Sequence, residues 1–500
     1  MRTSKRIELP VLSPLDRKAG QLSRQLAQQL RESIRAGKLR PGEPVPATRH
    51  LAAALKIARG TVVEAFEQLV AEGYLESRAG GTTTVSVNLT ERNAAASAKK
   101  SAQAATPLVR PLPATALRYA KIAAAMYPLP AAPFAISVPA GPVAPDDTWR
   151  KLGNRIRGTT SGGPSGYADP QGLLPLRKAI ADYVRKSRSV ACTPDQVIIT
   201  SGTQQGLYLA CQVLLGESDQ AWVEDPAYLG ITSILESSSR VDRIVRLPVD
   251  EQGLVVEEGI RRAPNARVAF VTPSHQYPLG MPMSMARREA LLSWAAARNA
   301  WVVEDDYDSE LRYAGHPFPA LQGLDSRRVV YLGTFSKILF PSLRMGYLIA
   351  PPDLVPAFCG ARIVMDRHPA TADQHVLAAF ISEGHLDRHI RRIRSIYADS
   401  RSDLIEILQA HLPEHLTEVQ PIEQGVHLLV WLDEGLDDIA IARLAAEQGV
   451  AVRALSPTYS DRCPDKRQGL ILGFGGYPKD KMIAAATTLG QIIAQHARKS

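Results

Sequence analysis

The sequence predicts two folded regions of different class, joined by a linker. Residues 20–88 carry apolar side chains at helical spacing and end in a strand-like piece, which predicts a small, mostly α domain. From about residue 133, short apolar runs alternate with helical stretches, which predicts an α/β domain with a mostly parallel sheet. The intervening segment is rich in Ala, Ser, Lys and Pro, a composition typical of linkers. We therefore divide the chain into residues 1–88, 89–132 and 133–500.

Length and composition narrow the class of protein. The 500 residues exceed one ordinary domain, and 45% hydrophobic and 22% charged residues are globular values. The sequence contains no apolar run of about 18 residues, so it predicts no membrane span. Its start also lacks the apolar core of a signal peptide. The four cysteines form no C-x-x-C pair, so we expect no metal site and no disulfide framework, which favours a cytoplasmic location.

Positive charge is concentrated near the N-terminus. The formal net charge is +9, and residues 1–90 hold 14 Lys and Arg against 8 Asp and Glu. This excess favours an anionic partner, and nucleic acid is the first candidate. A merely basic, solvated surface is the alternative that charge alone leaves open.

The N-terminal pattern predicts three helices and a hairpin. The first helix carries apolar residues spaced by four on one face: Leu22, Leu26, Leu30 and Ile34. Thr48 is predicted to cap the second helix. The third is predicted to start near Arg59 and to bury five side chains: Val62, Val63, Phe66, Leu69 and Val70. Two short strands are then predicted around Gly80 and Gly81.

Two short helices joined by a tight turn place the second helix in the major groove of DNA. Its first turn would present Arg59 and Thr61, and these side chains suit guanine or phosphate contacts. The stretches "LRPGEPVPATRHLAAAL" and "RGTVVEAFEQLVAEGYLESRAGG" resemble the winged helix-turn-helix of the GntR superfamily. The resemblance implies that residues of both helices and the wing contact double-stranded DNA: Arg49, Arg59, Thr61, Arg78 and Gly80. For Arg49 and Arg78, a solvated surface charge is the alternative.

The segment "TFSKILFPSLRMGY" in the C-terminal region suggests a covalent cofactor site. A lysine such as Lys337 can attack an aldehyde and hold it as a Schiff base. A site for pyridoxal 5′-phosphate (PLP) also needs phosphate ligands, a carboxylate for the ring nitrogen and flat partners for the ring. The sequence offers candidates for each: Ser201, Gly202, Thr203, Gln204, Thr334, Ser336 and Arg344 for the phosphate, and Asp305, Tyr307, Tyr228 and Tyr167 around the ring.

Taken singly these signals are weak, but their order and spacing are specific. Residues 133–495 resemble a fold-type I, aspartate-aminotransferase-like PLP enzyme, with a large subdomain at about 165–360 and a small one at about 361–500. The resemblance implies that Lys337 forms the Schiff base, Asp305 pairs with the pyridine nitrogen, Tyr307 bonds O3′ and Tyr228 stacks on the ring. It also implies that Tyr167 reaches the phosphate of the other subunit, because sites of this fold lie at a dimer interface.

The order winged helix, linker and aminotransferase-like domain resembles the MocR-type subfamily of GntR regulators. This resemblance implies a PLP-dependent transcription regulator. It also implies a homodimer with a domain-swapped arrangement, in which the DNA-binding domain of one chain packs on the PLP domain of the other.

Two positions depart from the transaminase pattern. In "TPSHQYPLG", Tyr277 stands where transaminases usually have Asn, and His275 precedes it as a candidate effector ligand. In "GLILGFGGY", Ile471 aligns with the arginine that binds the substrate α-carboxylate, and isoleucine cannot do so. Arg453 is a candidate replacement, with a structural arginine as the alternative.

Three hypotheses follow from these patterns. The first is a regulator that senses PLP, or an amine or amino acid, through Lys337. The second is an active PLP-dependent aminotransferase with an accessory DNA-binding domain, which the absent carboxylate arginine disfavours. The third is a dimerisation scaffold without cofactor, which the joint presence of Lys337, Asp305 and Arg344 disfavours. The sequence leaves the operator, the target genes and the effector open.

Overall fold

A computed structural model describes residues 12–77, 82–87, 111–126, 130–136, 145, 147–158, 166–237, 243–313, 315 and 318–498. The chain divides into two compact units, Met1–Leu112 and Pro113–Ser500, which we describe separately. The predicted DNA contacts Arg78 and Gly80 lie outside the described residues.

The described part of the first unit contains three helices and a two-stranded antiparallel sheet. Its elements are α1 (Leu22–Arg35), α2 (Thr48–Leu55), α3 (Arg59–Ala71), β1 (Leu75–Glu76) and β2 (Thr84–Val85). Leu75 pairs with Val85, and both side chains are buried with the helices. The shared core is built by one face of each helix: Leu26, Leu30, Leu51, Val62, Phe66 and Leu69. The spacing of apolar residues by three and four thus produces the predicted helical fold.

Two local predictions in this unit were wrong. Thr48 is the first residue of α2 and does not cap it, because Ala47 occupies the N-cap position without a side-chain hydrogen bond. Of the five side chains that α3 was expected to bury, Val63 is only half-buried and Val70 is 39% exposed, because it faces away from the core on the last turn of α3. A bidentate pair between Arg31 and Glu72 ties α1 to the end of α3 instead, with Nη2 2.7 Å from the carboxylate.

The second unit is an α/β domain. Its described α-helices, in chain order, are α4 (Ala114–Met126), α5 (Asp147–Arg157), α6 (Leu174–Arg188), α7 (Thr203–Leu214), α8 (Leu229–Ser237), α9 (Val256–Arg262), α10 (Met285–Arg298), α11 (Leu321–Leu324), α12 (Val355–Asp366), α13 (Ala372–Ser382), α14 (His385–His411), α15 (Asp438–Glu447) and α16 (Lys479–Ala497). Helix α4 falls inside the segment that composition predicts as a linker, and it packs on α8.

A central mixed sheet has the strand order β3-β10-β9-β8-β7-β4-β5-β6. The strands are β3 (Val197–Thr200), β4 (Ala221–Asp225), β5 (Ile244–Asp250), β6 (Gly253–Leu254), β7 (Val268–Val271), β8 (Trp301–Asp306), β9 (Val329–Thr334) and β10 (Gly346–Ile349). Neighbours from β5 to β9 are parallel, while β10 runs antiparallel to both β3 and β9. Helices cover both faces of this sheet, so the strand interiors are apolar on both sides.

A second, antiparallel sheet forms near the C-terminus. It has the order β11-β12-β14-β13, with β11 (Thr417–Gln420), β12 (His427–Leu432), β13 (Arg453–Ala454) and β14 (Gly469–Gly473). Its apolar core is continuous with that under β3 and β10, through residues of α6, α13 and α14. Together these features confirm the predicted fold class. Within the described residues, no helix combines the length and apolar character needed to cross a bilayer.

Candidate functional site

A cavity of about 350 Å³ opens where several strands of the central sheet end. Carboxyl ends of parallel strands share one edge of a sheet, and such edges commonly form ligand sites. The cavity brings together eleven of the predicted site residues: Gly202, Thr203, Gln204, Tyr228, Asp305, Tyr307, Thr334, Ser336, Lys337, Arg344 and Arg453. The remaining described lining comes from residues that sequence patterns did not single out as ligands: Met126, Ile136, Leu229, Thr272, Tyr277, Pro341, Val426 and His427.

One end of the cavity is a cluster of backbone and hydroxyl groups. Gly202 caps α7 with a φ of 80°, a conformation that favours glycine and turns the helix start toward the cavity. The backbone is close-packed here, since a Cβ on Gly346 would lie 2.9 Å from Cα of Gly202. Thr334 and Ser336 lie at the end of β9 with their hydroxyl oxygens 3.1 Å apart. Free N–H groups at a helix start, together with hydroxyls, form an anion site.

Arg344 adds a cation to this end. Its Nη2 donates to the Ser201 carbonyl at 2.7 Å, which holds the guanidinium across the start of α7. Gln204 is held from the other side, because its amide donates to the Gly230 carbonyl at 3.1 Å. Ser201 itself is not among the residues that line the cavity, so its role here is to anchor Arg344.

Asp305 presents a buried carboxylate in the middle of the cavity. Its side chain is 8% exposed, and its Oδ1 has no hydrogen-bond partner within the protein. Loss of hydration raises the pKa of this carboxyl to about 7, and neighbouring Asp306 adds to the effect while Lys337 opposes it. A buried oxygen of this kind is costly unless a ligand donates a hydrogen bond to it.

Lys337 lines the same cavity, after the end of β9. Loss of hydration lowers the pKa of its amine to about 8, against the attraction of Asp308 and Asp305. A lysine with a pKa in this range is partly neutral near pH 8, and the neutral amine is the nucleophile that attacks an aldehyde.

Three tyrosines surround the space between these groups. The ring of Tyr277 lies edge-on to Tyr228 at 5.7 Å and to Tyr307 at 6.0 Å. Burial raises the pKa of Tyr228 to about 12 and that of Tyr307 well above its usual range, so both stay protonated. At the position where transaminases usually have Asn, this chain therefore has Tyr277, whose ring forms part of the cavity wall.

Besides Ser201, two predicted site residues lie away from the cavity wall. His275 is 2% exposed and sits behind Tyr307, bonded to Asp308, so it does not line the cavity. Tyr167 is 80% exposed, with Arg367 above its ring at 4.9 Å.

The wall contributed by the C-terminal sheet differs from the end that carries Asp305, Lys337 and Arg344, which we call the cofactor end. Ile471 is fully buried in β14, and its backbone partner across the sheet is Arg453 of β13. Arg453 lines the cavity, as does His427 at the start of β12. Burial lowers the pKa of His427 to about 3, so this imidazole is neutral. No local motif marks His427, since its place depends on how the second sheet packs beside the first.

The residues present fit PLP. The hydroxyls, helix start and Arg344 suit a phosphate, and the unpartnered Oδ1 of Asp305 suits a protonated ring nitrogen. Lys337, in the same cavity, supplies the amine.

In the first unit, the candidate DNA-contacting residues lie on the two adjacent helices. Arg49 is exposed on α2 and Arg59 is exposed as the first residue of α3, with Thr61 partly exposed two residues later. Helices α2 and α3 pack against each other, which is the arrangement of a helix-turn-helix.

Comparison with protein families matches both units. Residues 22–85 match the model for bacterial regulatory proteins of the gntR family, and residues 138–466 match aminotransferase class I and II. The second match covers well over half of the chain.

Individual relatives match most of the chain. The chain is 38% identical to the probable rhizopine catabolism regulatory protein MocR of Rhizobium meliloti, over 92% of each chain. It is 33% identical to the HTH-type pyridoxine biosynthesis transcriptional regulator PdxR of Corynebacterium glutamicum, over 93% of this chain and 96% of the relative. A multiple substrate aminotransferase from Thermococcus profundus superposes with a TM-score of 0.67 at 28% identity, over 78% of this chain and 97% of the enzyme.

Proposed function

Because the chain belongs to the MocR-type transcription regulators of the GntR family, with an aminotransferase class I and II domain, we propose that it is a PLP-responsive DNA-binding regulator. The observation that carries the proposal is the unpartnered Asp305 Oδ1, which shares one cavity with Lys337 and with the hydroxyl and guanidinium cluster. A scaffold without ligand would gain nothing from a buried, unpartnered carboxylate.

Each residue has a role that its surroundings support. PLP, when bound, supplies an aldehyde that an amine can hold covalently. The partly neutral amine of Lys337 is the nucleophile, since its pKa is lowered to about 8. With PLP bound, Asp305 would accept from the ring nitrogen, and Tyr307 would donate to the neighbouring ring oxygen. Tyr228 supplies a flat face for the ring.

The phosphate is assigned to the opposite end of the cavity. Its proposed ligands are the N–H groups at the start of α7 and the side chains of Thr203, Gln204, Thr334, Ser336 and Arg344, with Gly202 allowing close approach. Tyr167 is proposed to reach the phosphate of a second subunit in a homodimer, which its 80% exposure permits.

An amine or amino acid is proposed as a second ligand of the cavity. Arg453 is the lining guanidinium outside the phosphate end among the described residues, and it can pair with a carboxylate. Coupling to DNA requires that ligand binding favour one arrangement of the winged helices over another.

An active aminotransferase is the second candidate, and Arg453 in the cavity wall favours it. The buried Ile471 opposes it, because no arginine stands at the aligned position. The two candidates differ in turnover: PLP-loaded enzyme would convert PLP to pyridoxamine phosphate when mixed with amino acids, whereas a regulator would bind them with little conversion.

DNA is assigned to α2, α3 and the wing. Arg49, Arg59 and Thr61 are proposed to contact phosphates and base edges, together with Arg78 and Gly80, which lie outside the described residues. Arg59→Ala is expected to weaken binding to a duplex selected with the wild-type chain, by about tenfold or more.

Absorbance titration with PLP tests the proposal. The wild-type chain should develop the absorbance of covalently held PLP in proportion to added cofactor, and Lys337→Ala should not. Arg59→Ala is the matched control, since it should weaken DNA binding and leave the spectrum unchanged. A wild-type chain that gives only the spectrum of free PLP at excess cofactor would refute the proposal.

A further inference from the structure

A buried histidine–aspartate pair lies directly behind Tyr307. His275 Nδ1 is 2.9 and 3.0 Å from the two carboxylate oxygens of Asp308, and 3.0 Å from the Tyr307 hydroxyl oxygen. The His275 and Tyr307 rings are stacked, with centroids 5.7 Å apart. His275 and Asp308 are 2% and 1% exposed, while Tyr307 lines the cofactor cavity. The three groups therefore form a line from the cavity into the interior.

The donors and acceptors around His275 Nδ1 fix the direction of the Tyr307 hydroxyl hydrogen. A carboxylate only accepts hydrogen bonds, so the nitrogen that contacts Asp308 must carry a hydrogen and donate it. His275 Nδ1 thus bears hydrogen and cannot accept one from Tyr307. The Tyr307 oxygen can share the Nδ1 hydrogen as an acceptor, and its own hydrogen must then point elsewhere. The open direction is the cavity.

The other ring nitrogen agrees with this assignment. His275 Nε2 is buried and has no hydrogen-bond partner within the protein. A buried N–H without a partner costs more than a bare lone pair on a ring that is already satisfied at Nδ1. The arrangement with hydrogen on Nδ1 and a bare Nε2 is therefore favoured, as in other sites where an acidic partner orients a histidine.

The C-terminal subdomain holds this geometry in place. Gly425, with a φ of 87°, packs so closely that a Cβ there would lie 2.4 Å from both Asp308 Oδ2 and His275 Cε1. Two residues later, His427 places its ring 5.3 Å from that of His275 and also lines the cavity. The pair is thus clamped between the end of β8 and the start of β12.

We propose that His275 and Asp308 are positioning residues that aim the Tyr307 hydroxyl hydrogen into the cavity, toward the phenolic oxygen of a bound pyridoxal-type ligand. The assignment rests on the proposed PLP-binding function and specifies how that ligand is recognised. Burial raises the pKa of the Tyr307 phenol, and Asp308, Tyr277, Asp305 and Glu224 add to the effect. Among the described residues, none of these four makes the hydrogen bond to the phenol oxygen that His275 Nδ1 makes.

Asp308→Asn tests this directly, because it removes the carboxylate that obliges Nδ1 to carry the hydrogen; an amide can donate to Nδ1 and favour the other histidine tautomer, even at the cost of a buried Nε2–H. Nδ1 then becomes an acceptor, and Tyr307 turns its hydrogen toward His275 and away from the cavity. The expected result is about tenfold weaker PLP binding, with a shifted absorbance maximum of the bound PLP, both read by spectral titration. In a Tyr307→Phe background, the same substitution should change PLP affinity less than twofold.

A rescue variant separates misdirection from damage to the fold. His275→Phe added to Asp308→Asn removes the misplaced acceptor without leaving a buried charge, so PLP affinity should return most of the way to the wild-type value. The proposal is overturned if Asp308→Asn weakens PLP binding equally with Tyr307 present and in the Tyr307→Phe background, if it has no effect, or if the double variant shows no recovery. A wild-type chain that binds no PLP would instead contradict the proposed function itself.

Discussion

The two ends of the cavity differ in what they offer a ligand. The end built by β8, β9 and the start of α7 combines a carboxylate, an amine, hydroxyls and a guanidinium, all suited to a pyridoxal phosphate. The wall built by the C-terminal sheet offers Arg453 and the neutral His427, and buries Ile471 where transaminases have an arginine. Groups suited to holding a cofactor and groups suited to turning over a substrate are thus separable parts of one fold.

The difference follows from which strands supply each end. The cofactor end grows from the central sheet, where parallel strands end at one edge and fix the side chains that follow them. The opposite wall comes from a separate antiparallel sheet, whose strands do not pair with β8 or β9. A regulator needs the first end intact and can adapt the second to an effector.

Removing the ring-nitrogen partner should have the largest effect on the cofactor end. Asp305→Asn is expected to weaken PLP binding about a hundredfold, because the substitution replaces a charge-assisted acceptor in a desolvated site. Absorbance titration measures the change. Asp403→Asn, at an exposed ion pair with Lys479, is the matched control and should leave PLP affinity unaltered. Equal PLP affinity in wild type and Asp305→Asn would break the distinction between the two ends.

Paired arginine substitutions should separate the two ends. Arg344→Gln is expected to weaken PLP binding about tenfold and Arg453→Gln less than twofold, since only Arg344 lies at the phosphate end. With PLP bound, Arg453→Gln should instead weaken the spectral response to carboxylate-bearing amines about tenfold. Titration of each variant with PLP and then with a panel of amino acids checks both statements. An unchanged amino-acid response in Arg453→Gln would remove Arg453 from the effector site.

The smallest effect expected concerns the dependence of stability on pH. The pKa of Asp305 is raised to about 7 in the folded chain, whereas an unfolded Asp titrates near 3.8. Between these values the folded state holds the proton more tightly, so this group's contribution to stability is present at low pH and falls as pH rises toward 7. The melting temperature of the cofactor-free chain, measured relative to Asp305→Asn, should therefore decline from pH 5 to pH 8. Bound PLP should reduce the decline, because its ring cation favours the carboxylate; a rise in the same window would contradict the assignment.

Much of the architecture is predictable from the sequence, because it depends on local patterns of apolar residues. The helices of the first unit and strands β3, β4, β7, β8 and β9 follow from apolar spacing, and motifs at strand ends anticipated the residues of the cofactor end. The helix α4 within the predicted linker was missed, because an Ala-rich segment carries little apolar periodicity. The antiparallel insertion of β10 was missed because strand order is set by pairing across the sheet.

The parts of the site that escaped prediction depend on tertiary packing. Met126 reaches the cavity from α4, and His427 reaches it from the second sheet, so neither stands beside a recognisable motif. His275 was predicted as an effector ligand because of its place in "TPSHQYPLG", yet the structure buries it against Asp308. The spacing of residues along the chain does not distinguish a residue that lines the cavity from one that is buried behind the lining.

The most direct test of the regulator account measures DNA affinity with and without PLP. Fluorescence anisotropy of a duplex selected with the wild-type chain gives the affinity of wild type and Lys337→Ala in each condition. We predict that PLP changes the wild-type affinity at least fivefold, while Lys337→Ala binds the duplex but does not respond to PLP. An equal response in both chains, or no response in a wild-type chain whose spectrum shows bound PLP, would contradict the account.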